Sequence, residues 1–218
     1  MKGVIVAGAA EDLADAAVLQ RLTESAGASL GPVYGGRGKS HLVGRLAAYN
    51  AAARLNPWVV LIDLDRQTEC APRLRAQWLP DVAPLMCFRI VVRAIEAWLL
   101  ADPERLGRFL GVAQTSIPVY PETLSDPKRD MIDLARQSKR RHIREDMVPR
   151  LGSGRSVGPA YTSRLIEFVL DRSTGWRPEV AAGYADSLAR CLTCIRKLVQ
   201  RSQQRPGGAT SPRRRRRR

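Results

Sequence analysis

The stretch Trp58-Val59-Val60-Leu61-Ile62-Asp63-Leu64-Asp65 predicts a buried strand that ends in two carboxylates. Its run of five apolar residues is typical of a strand covered on both faces, as in a parallel sheet. Because side chains alternate along a strand, Asp63 and Asp65 are expected on the same face. Ligands of open parallel sheets bind beyond the carboxyl ends of the strands, so these two aspartates mark a candidate site.

Two carboxylates this close repel each other, and a bound divalent cation relieves that repulsion. Asp63 and Asp65 are therefore interpreted as ligands of Mg²⁺ or Mn²⁺. A second interpretation remains open, in which Asp65 caps the following helix and Asp63 is a solvated strand end.

Strands and helices alternate through the first hundred residues, which predicts a doubly wound α/β domain. Beside the strand over 58–65, strands are predicted over 3–8, 28–34 and 85–92, and helices over 11–26, 41–55 and 69–78. The expected fold class is α/β, with a Rossmann-like central parallel sheet flanked by helices and an α-helical C-terminal half.

The second half of the chain contains only helical patterns. Helices are predicted over 94–100, 103–110, 126–137, 140–148, 160–170 and 183–201, with no strand after Val92. The expected organisation is an α/β domain over 1–102, a helical extension packed on it over 103–202, and a disordered arginine-rich tail over 203–218.

The chain is strongly basic, with a formal net charge of +15, to which the six residues Arg213 to Arg218 contribute six units. A cationic surface of this size attracts phosphate backbones and favours a nucleic-acid partner. Only five of the 36 basic residues are lysine, and Ala, Gly and Pro are abundant, which is also typical of a genome of high G+C content. Charge therefore supports nucleic-acid binding without requiring it.

Four cysteines without a disulfide-framework spacing fit a reducing cytosol, so a cytoplasmic location is expected. No apolar run approaches the roughly 20 residues that cross a bilayer, and the N-terminus lacks the features of a signal peptide. No membrane association is expected.

The segment Gly35-Gly36-Arg37-Gly38-Lys39-Ser40 partly matches a phosphate-binding P-loop. That motif requires a glycine five positions before Gly38, where this chain has Val33. A nucleotide-binding module is therefore the least favoured function. A glycine-rich turn that opens a helix can still hold a phosphate of the substrate on its free N–H groups, with Arg37 and Lys39 nearby.

Cys191 and Cys194 form a C-x-x-C pair inside a predicted helix. Zinc requires four ligands, and neither a second pair nor a histidine cluster lies at a suitable spacing, since His41 and His142 are isolated. The pair is interpreted as buried on a helix face.

Glu96 follows the strand predicted over 85–92 and could join Asp63 and Asp65, while Arg89 and Arg93 bracket the same apolar segment. The alternative is a strand-to-helix junction in which Glu96 pairs with an arginine.

A basic segment over 136–155 leads into a run of small residues that includes Arg155 and ends at Tyr161. Glycines there allow a backbone to approach phosphate, and Tyr161 could stack on a base or donate a hydrogen bond. A solvated charged helix face followed by an ordinary loop is the alternative.

Together these motifs resemble the TOPRIM domain of topoisomerases, primases and related nucleases. The segments 89–102, 126–128 and 154–159 are similar in particular to the TOPRIM-like family numbered 4276 among the domains of unknown function. The resemblance covers about residues 3 to 200 and implies a TOPRIM-like version of the α/β fold.

The resemblance implies phosphodiester chemistry dependent on Mg²⁺ or Mn²⁺, in which acidic residues hold the cation and a glutamate acts as general acid or base. It assigns Asp63 and Asp65 as metal ligands. Family members often read Val-Glu-Gly where this chain reads Val6-Ala7-Gly8, so Glu11, a second acidic position, is the expected third ligand. Relatives of this kind often act in defence against phages or plasmids, sometimes beside an ATPase.

Two functions are therefore expected as alternatives. The first is a metal-dependent phosphodiesterase or endonuclease that acts on nucleic acid. The second, motivated by Ala7, is a catalytically silent nucleic-acid-binding or regulatory subunit of a larger defence complex. Both functions are compatible with a homo-oligomer. The catalytic candidates are Glu11, Asp63, Asp65 and Glu96, and the candidates for binding nucleic acid or phosphate are Arg37, Lys39, Arg89, Arg93, Lys128, Arg155 and Tyr161.

Overall fold

The computed structural model describes residues 3–65 and 70–204 and contains one parallel sheet of four strands. The strands are β1 (Ile5–Ala10), β2 (Ser29–Gly35), β3 (Trp58–Asp63) and β4 (Met86–Val91), and their order across the sheet is β2-β1-β3-β4. All three neighbouring pairs are parallel. The predicted α/β fold with a Rossmann-like parallel sheet is therefore confirmed.

Three helices connect the strands, namely α1 (Leu13–Ser25), α2 (Lys39–Ala52) and α3 (Ala71–Trp78). Both faces of β3 are covered. Val59 and Leu61 belong to one hydrophobic cluster, and Val60 and Ile62 belong to the other. Burial on both faces is the physical reason for the unbroken apolar run in this strand.

The rest of the described chain is helical, and no strand follows β4 within residues 92–204, as predicted. Two short 3₁₀ turns, Gln114–Ser116 and Pro121–Thr123, interrupt the helices. The helices are α4 (Ile95–Leu100), α5 (Pro103–Leu110), α6 (Pro127–Arg136), α7 (Arg141–Met147), α8 (Tyr161–Leu170), α9 (Pro178–Ala181) and α10 (Asp186–Gln204). None of the helices in the described ranges is long and apolar enough to cross a membrane.

Trp98 on α4 joins the sheet to the helical half. Its indole Nε1 donates to Ser187 Oγ on α10 at 2.8 Å, and Trp176 Nε1 donates to the Trp98 carbonyl at 3.0 Å. Both tryptophans are fully buried, in a cluster that also contains Val6 of β1 and Val199 of α10. The helical half and one face of the sheet therefore share one core.

β1 was expected over 3–8 and runs from Ile5 to Ala10. Gly8 was expected to end the strand, but a Cβ at this position would lie 2.5 Å from Leu19 Cδ2 of α1. Glycine is present because α1 packs closely on the strand, and the pairing with β2 continues to Ala10. Glycine is favoured both where two elements pack closely and where the chain turns, so the sequence alone could not distinguish these two reasons for Gly8.

Other boundaries differ by two or three residues. β3 ends at Asp63, two residues before the predicted end, α2 ends at Ala52 rather than at 55, and the short helix α9 was not predicted. The last helix, α10, covers Asp186–Gln204 instead of 183–201, so the first two residues of the predicted disordered tail are helical. Residue 69 of the predicted helix over 69–78 and residues 205–218 of the predicted tail lie outside the described residues.

Asp102 holds the start of α5 against the segment before α9. It is fully buried, and its two carboxylate oxygens accept hydrogen bonds from Arg177 Nε at 3.0 Å and from an Arg177 terminal nitrogen at 2.7 Å. The Arg177 backbone N–H donates to the same carboxylate at 3.1 Å. Removing one partner of a buried pair leaves an uncompensated charge.

We expect Arg177→Met to lower the free energy of unfolding by about 3 kcal/mol, because Asp102 keeps its burial and loses its cation. Urea unfolding followed by circular dichroism measures this loss. Arg108→Met is the matched control, because Arg108 pairs with Glu104 at a side-chain exposure of 75%, and exposed pairs contribute about 0–1 kcal/mol. Equal effects of the two substitutions would contradict the role given to Asp102.

Candidate active site

Acidic residues gather at the carboxyl edge of the sheet. Glu11 follows β1, Asp63 ends β3, and Glu96 lies in the first turn of α4 after β4. Asp15 lies in the first turn of α1. Three of these four were predicted from the sequence, and we call the four residues the acidic edge.

Glu11 is tied directly to the end of β3. Its Oε1 accepts a hydrogen bond from the Asp63 backbone N–H at 2.9 Å, across 52 residues of sequence. Burial raises the pKa of Glu11, the hydrogen bond from Asp63 partly lowers it, and the nearby Asp65 raises it again.

Position 7, where members of the TOPRIM-like family that the sequence resembles often have glutamate, lies away from this edge. Ala7 pairs with Trp58 at the amino end of β3. Asp63 is five residues further along β3, about 16 Å away at the usual rise of a strand. A glutamate at position 7 would not contact Asp63, so Ala7 does not remove a carboxylate from the acidic edge.

Asp63 lies at the centre of the acidic edge. Burial raises the pKa of Asp63 well above its usual range, and Asp15, Glu96 and Glu11 raise it further, in that order. Within the described residues, the Asp63 carboxylate accepts no hydrogen bond, whereas its backbone N–H and C=O are both bonded. A carboxylate in these surroundings gains stability from a proton or from a cation.

Asp15 was missed by the sequence reasoning. It is 5% exposed and forms a capping box with Asp12, whose N–H donates to Asp15 Oδ2 at 3.0 Å. Burial, together with the charges of Asp12, Glu11 and Glu96, raises the pKa of Asp15 to about 8. The available signal was the spacing of Glu11 and Asp15, four residues apart at a helix start, which places both near the same edge.

The structure brings together three predicted residues from different helices. Glu96 is 3% exposed, Tyr161 Oη donates to Glu96 Oε1 at 3.0 Å, and Lys128 Nζ lies 3.9 Å from the same oxygen. Lys128 Nζ also lies 5.9 Å from the centroid of the Tyr161 ring. Burial raises the pKa of Glu96, and Lys128 and the Tyr161 hydroxyl partly offset this effect. None of the arginines in the described residues forms an ion pair with Glu96.

Asp65 has a different environment from Asp63. The strand ends at Asp63, and Asp65 has a left-handed backbone with φ of 53°, so strand alternation does not extend to it. Its Oδ2 lies 3.0 Å from Lys39 Nζ. Lys39 also donates to the Leu64 carbonyl at 3.2 Å and to the Asp63 carbonyl.

These contacts give the glycine-rich segment a structural role. Lys39 is the first residue of α2, and its ammonium fastens this helix start to the end of β3. Arg37 is exposed and makes no hydrogen bond or ion pair with the described part of the chain. The phosphate contact predicted for this segment stays a prediction.

The remaining predicted basic residues lie in two places. Arg93 lies at the carboxyl edge of the sheet, where it donates to the Asp65 carbonyl at 3.3 Å. Arg89 lies within β4, the strand that leads to this edge. Arg155 lies in an exposed loop and contacts none of the acidic edge residues.

Within residues 3–65 and 70–204, no group of three or more His, Cys, Asp or Glu side chains is placed to hold one metal ion. The acidic edge offers only carboxylate oxygens, which suit a hard cation. Mg²⁺ usually keeps several water ligands and binds one or two protein carboxylates. The residues present therefore fit a water-rich Mg²⁺ or Mn²⁺ site and do not fit a protein cage.

The predicted burial of the C-x-x-C pair holds for Cys191, while Cys194 is partly exposed. Cys87 of β4 packs beside both, and its pKa is raised by burial and by hydrogen bonding to them.

The fold places the chain in the class of α/β proteins with a Rossmann-like parallel sheet, and the site defines a carboxylate cluster at its carboxyl edge. No protein-family model, no curated protein and no solved structure matches the chain.

We expect Asp15→Asn to stabilise the protein increasingly as pH rises from 4 to 8. The folded pKa of Asp15, about 8, lies above its usual value of 3.8, so ionisation of Asp15 costs stability across this interval. At about 1.4 kcal/mol per pKa unit, with relaxation of the neighbouring carboxylates, a gain of about 2 kcal/mol is expected at pH 8 and almost none at pH 4.

Urea unfolding at pH 4, 6 and 8 in EDTA measures this gain. Asp133→Asn is the control, because Asp133 is an exposed carboxylate on α6 that pairs with Arg136. A gain from Asp15→Asn that does not change with pH would contradict the assignment.

Proposed function

We propose that the chain is a TOPRIM-like phosphodiesterase that acts on nucleic acid with Mg²⁺ or Mn²⁺. The observation that carries the proposal is the convergence of Asp63, Asp15, Glu11 and Glu96 at one edge of a parallel sheet, where burial and the charges of neighbouring carboxylates raise the pKa of each. Clusters of titratable groups with strongly shifted pKa values are typical of catalytic sites.

Asp63 with Glu11 or Asp15 would hold the cation. When bound, the cation supplies electrostatic stabilisation of the phosphoryl oxygens. Asp63 is the central member because each of the other three carboxylates raises its pKa. The Lys39 contact makes Asp65 a weaker candidate for the same role.

Glu96 is suited to moving a proton. Its raised pKa favours the protonated acid, and Tyr161 fixes the orientation of its carboxyl group. General acid–base catalysis requires a group held in place with a pKa near the working pH. Lys128, with a side-chain exposure of 49%, lies beside Glu96 and is accessible to a phosphate.

Nucleic acid is proposed as the substrate because the chain carries a net charge of +15. Cationic surfaces attract phosphate backbones through release of bound counterions. The resemblance to the TOPRIM-like family extends the proposal to a cytoplasmic role in defence, in which an ATPase partner or a homo-oligomer would complete the complex.

One observation favours the second function, a catalytically silent nucleic-acid-binding subunit. The described residues contain no three-ligand metal group. A protein of this kind would bind nucleic acid without a divalent ion, with an affinity that falls steeply as salt increases.

Cleavage of plasmid DNA and of RNA with Mn²⁺ tests the enzymatic proposal. We expect Asp63→Asn to lower the cleavage rate by about 100-fold or more, the scale on which single charged groups at a reaction centre act. Asp81→Asn, which changes an exposed carboxylate paired with Arg54, is the matched control and should leave the rate unchanged.

Calorimetric titration with Mn²⁺ alone gives a second measurement. Binding to the unsubstituted protein and to Asp81→Asn, but not to Asp63→Asn, is the expected result. Cleavage that survives in Asp63→Asn would refute the acidic edge as the catalytic site. Salt-sensitive nucleic-acid binding without turnover under any metal would support the silent subunit instead.

A further inference from the structure

A cationic groove runs along the open edge of β4, the outermost strand of the sheet. Two adjoining cavities of about 600 and 570 Å³ form it, between α3 on one side and α10 on the other. Both cavities are lined by Arg75, Arg89 and Arg190. We call this region the β4 groove, and its basic residues are Arg75, Arg89, Arg93, Arg190, Lys197 and Arg201.

Two of the arginines reach the groove from the helices beside β4. Arg75 of α3 donates from Nε to the Phe88 carbonyl at 3.2 Å. Arg201 of α10 donates to the Pro84 carbonyl at 3.4 Å. These bonds to neutral carbonyls hold the guanidinium groups along the strand without neutralising their charge.

The positive charge of the groove is only partly balanced. Among the described residues, Arg190 is the only one of the six basic groups with an ion pair, an exposed contact with Asp186 at 2.7 Å. The other acid in the groove, Glu122, accepts hydrogen bonds from the N–H and hydroxyl of Ser187. Counting only the lining residues that the structure describes, two acids against six bases leave a formal charge of +4.

Arg89 is the basic residue in the middle of the groove. Its Nε is buried and has no hydrogen-bond partner among the described residues. No acceptor in the described part of the chain takes up this donor, so the Arg89 guanidinium keeps its positive charge beside the groove, and a guanidinium binds phosphate well.

Cys194 lines the groove, and the positive charge there affects the pKa of its thiol. A hydrogen bond with Cys87 lowers the pKa of Cys194 to about 7, and the positive charges of Arg89, Arg75 and Arg201 add to this effect. A positive field that favours a thiolate also favours a phosphate.

The groove leads to the acidic edge. Leu64 and Arg93, which line its first cavity, lie at the carboxyl ends of β3 and β4. Arg89 and Asp63 lie on the same face of the sheet, because Arg89 pairs with Leu61 and side chains alternate along strands.

The length of the groove fits several nucleotides. Arg190 and Arg201 are eleven residues apart on α10, which corresponds to about 16 Å along a helix. An extended single strand spaces its phosphates further apart than the rise of about 3.4 Å along a duplex axis, so this length fits about three phosphates.

We propose that the β4 groove binds the phosphodiester backbone of a single nucleic-acid strand and guides it toward the acidic edge. The proposal rests on the proposed function in taking nucleic acid as the ligand. It assigns binding to residues that are separate from the carboxylates, so the two proposals can fail independently.

Fluorescence anisotropy with a labelled single-stranded 12-mer in EDTA, from 50 to 200 mM NaCl, tests the groove. The groove variant carries Arg190→Gln, Lys197→Gln and Arg201→Gln, all exposed on α10. The control variant carries Arg45→Gln, Arg108→Gln and Arg172→Gln, which remove the same charge from exposed positions outside the groove and outside the basic segment over 136–155.

We expect the groove variant to bind at least about tenfold more weakly than the control variant at 100 mM NaCl. Its slope of log affinity against log salt should fall by about 2, at 0.7 per lost phosphate contact on a single strand. Equal affinities and slopes of the two variants would overturn the proposal. Competition by inorganic polyphosphate as strong as that by an unlabelled oligonucleotide would also overturn it, because another phosphate polymer would then be the ligand.

Alkylation of Cys194 by iodoacetamide, followed by peptide mapping, gives a readout that does not depend on a variant. The oligonucleotide should slow this alkylation several-fold, and an unchanged rate would place the strand elsewhere. Turnover that survives in Asp63→Asn would end the assignment of catalysis to the acidic edge while leaving the groove result intact.

Discussion

The common direction of the four strands is the constraint on which the site depends. Parallel pairing sends every carboxyl end to one edge, so Glu11 and Asp63 meet across 52 residues of sequence. Glu96 joins them because α4 begins directly after the last strand. Helices cover the sheet, so Asp15 and Glu96 are buried and Glu11 and Asp63 are partly shielded from water. Their repulsion and burial act together, and both raise the cost of negative charge at Asp63.

The helical half of the chain contributes to both polar regions of the molecule. It shares a core with one face of the sheet through Trp98 and Trp176. From this position α6 and α8 supply Lys128 and Tyr161 to Glu96, and α10 supplies one wall of the β4 groove. The acidic edge and the basic groove therefore depend on the same packing interface.

Opposite charges are separated along one side of the molecule. The acidic edge gathers carboxylates that favour a cation, and the β4 groove gathers guanidinium groups that favour phosphate. Arg93 lies between them and donates to the Asp65 carbonyl. An arrangement of this kind lets a protein hold a polyanion by one region and present one of its phosphates to the other.

The sequence by itself determined the parallel sheet. The apolar run before Asp63 and the alternation of strands and helices both indicate strands that are covered by helices on their two faces. The sequence also predicted Asp63 near the end of a strand and Glu96 within a turn of the next strand's end, whereas Glu11 was assigned to the site through the family resemblance. It could not show that Asp63 and Asp65 have different environments. A left-handed backbone at Asp65 and an ion pair with Lys39, which is distant in sequence, decide the position of Asp65. Asp15 and the β4 groove were decided only by tertiary structure, since burial of a carboxylate and the approach of α3 and α10 to one strand depend on packing between distant segments.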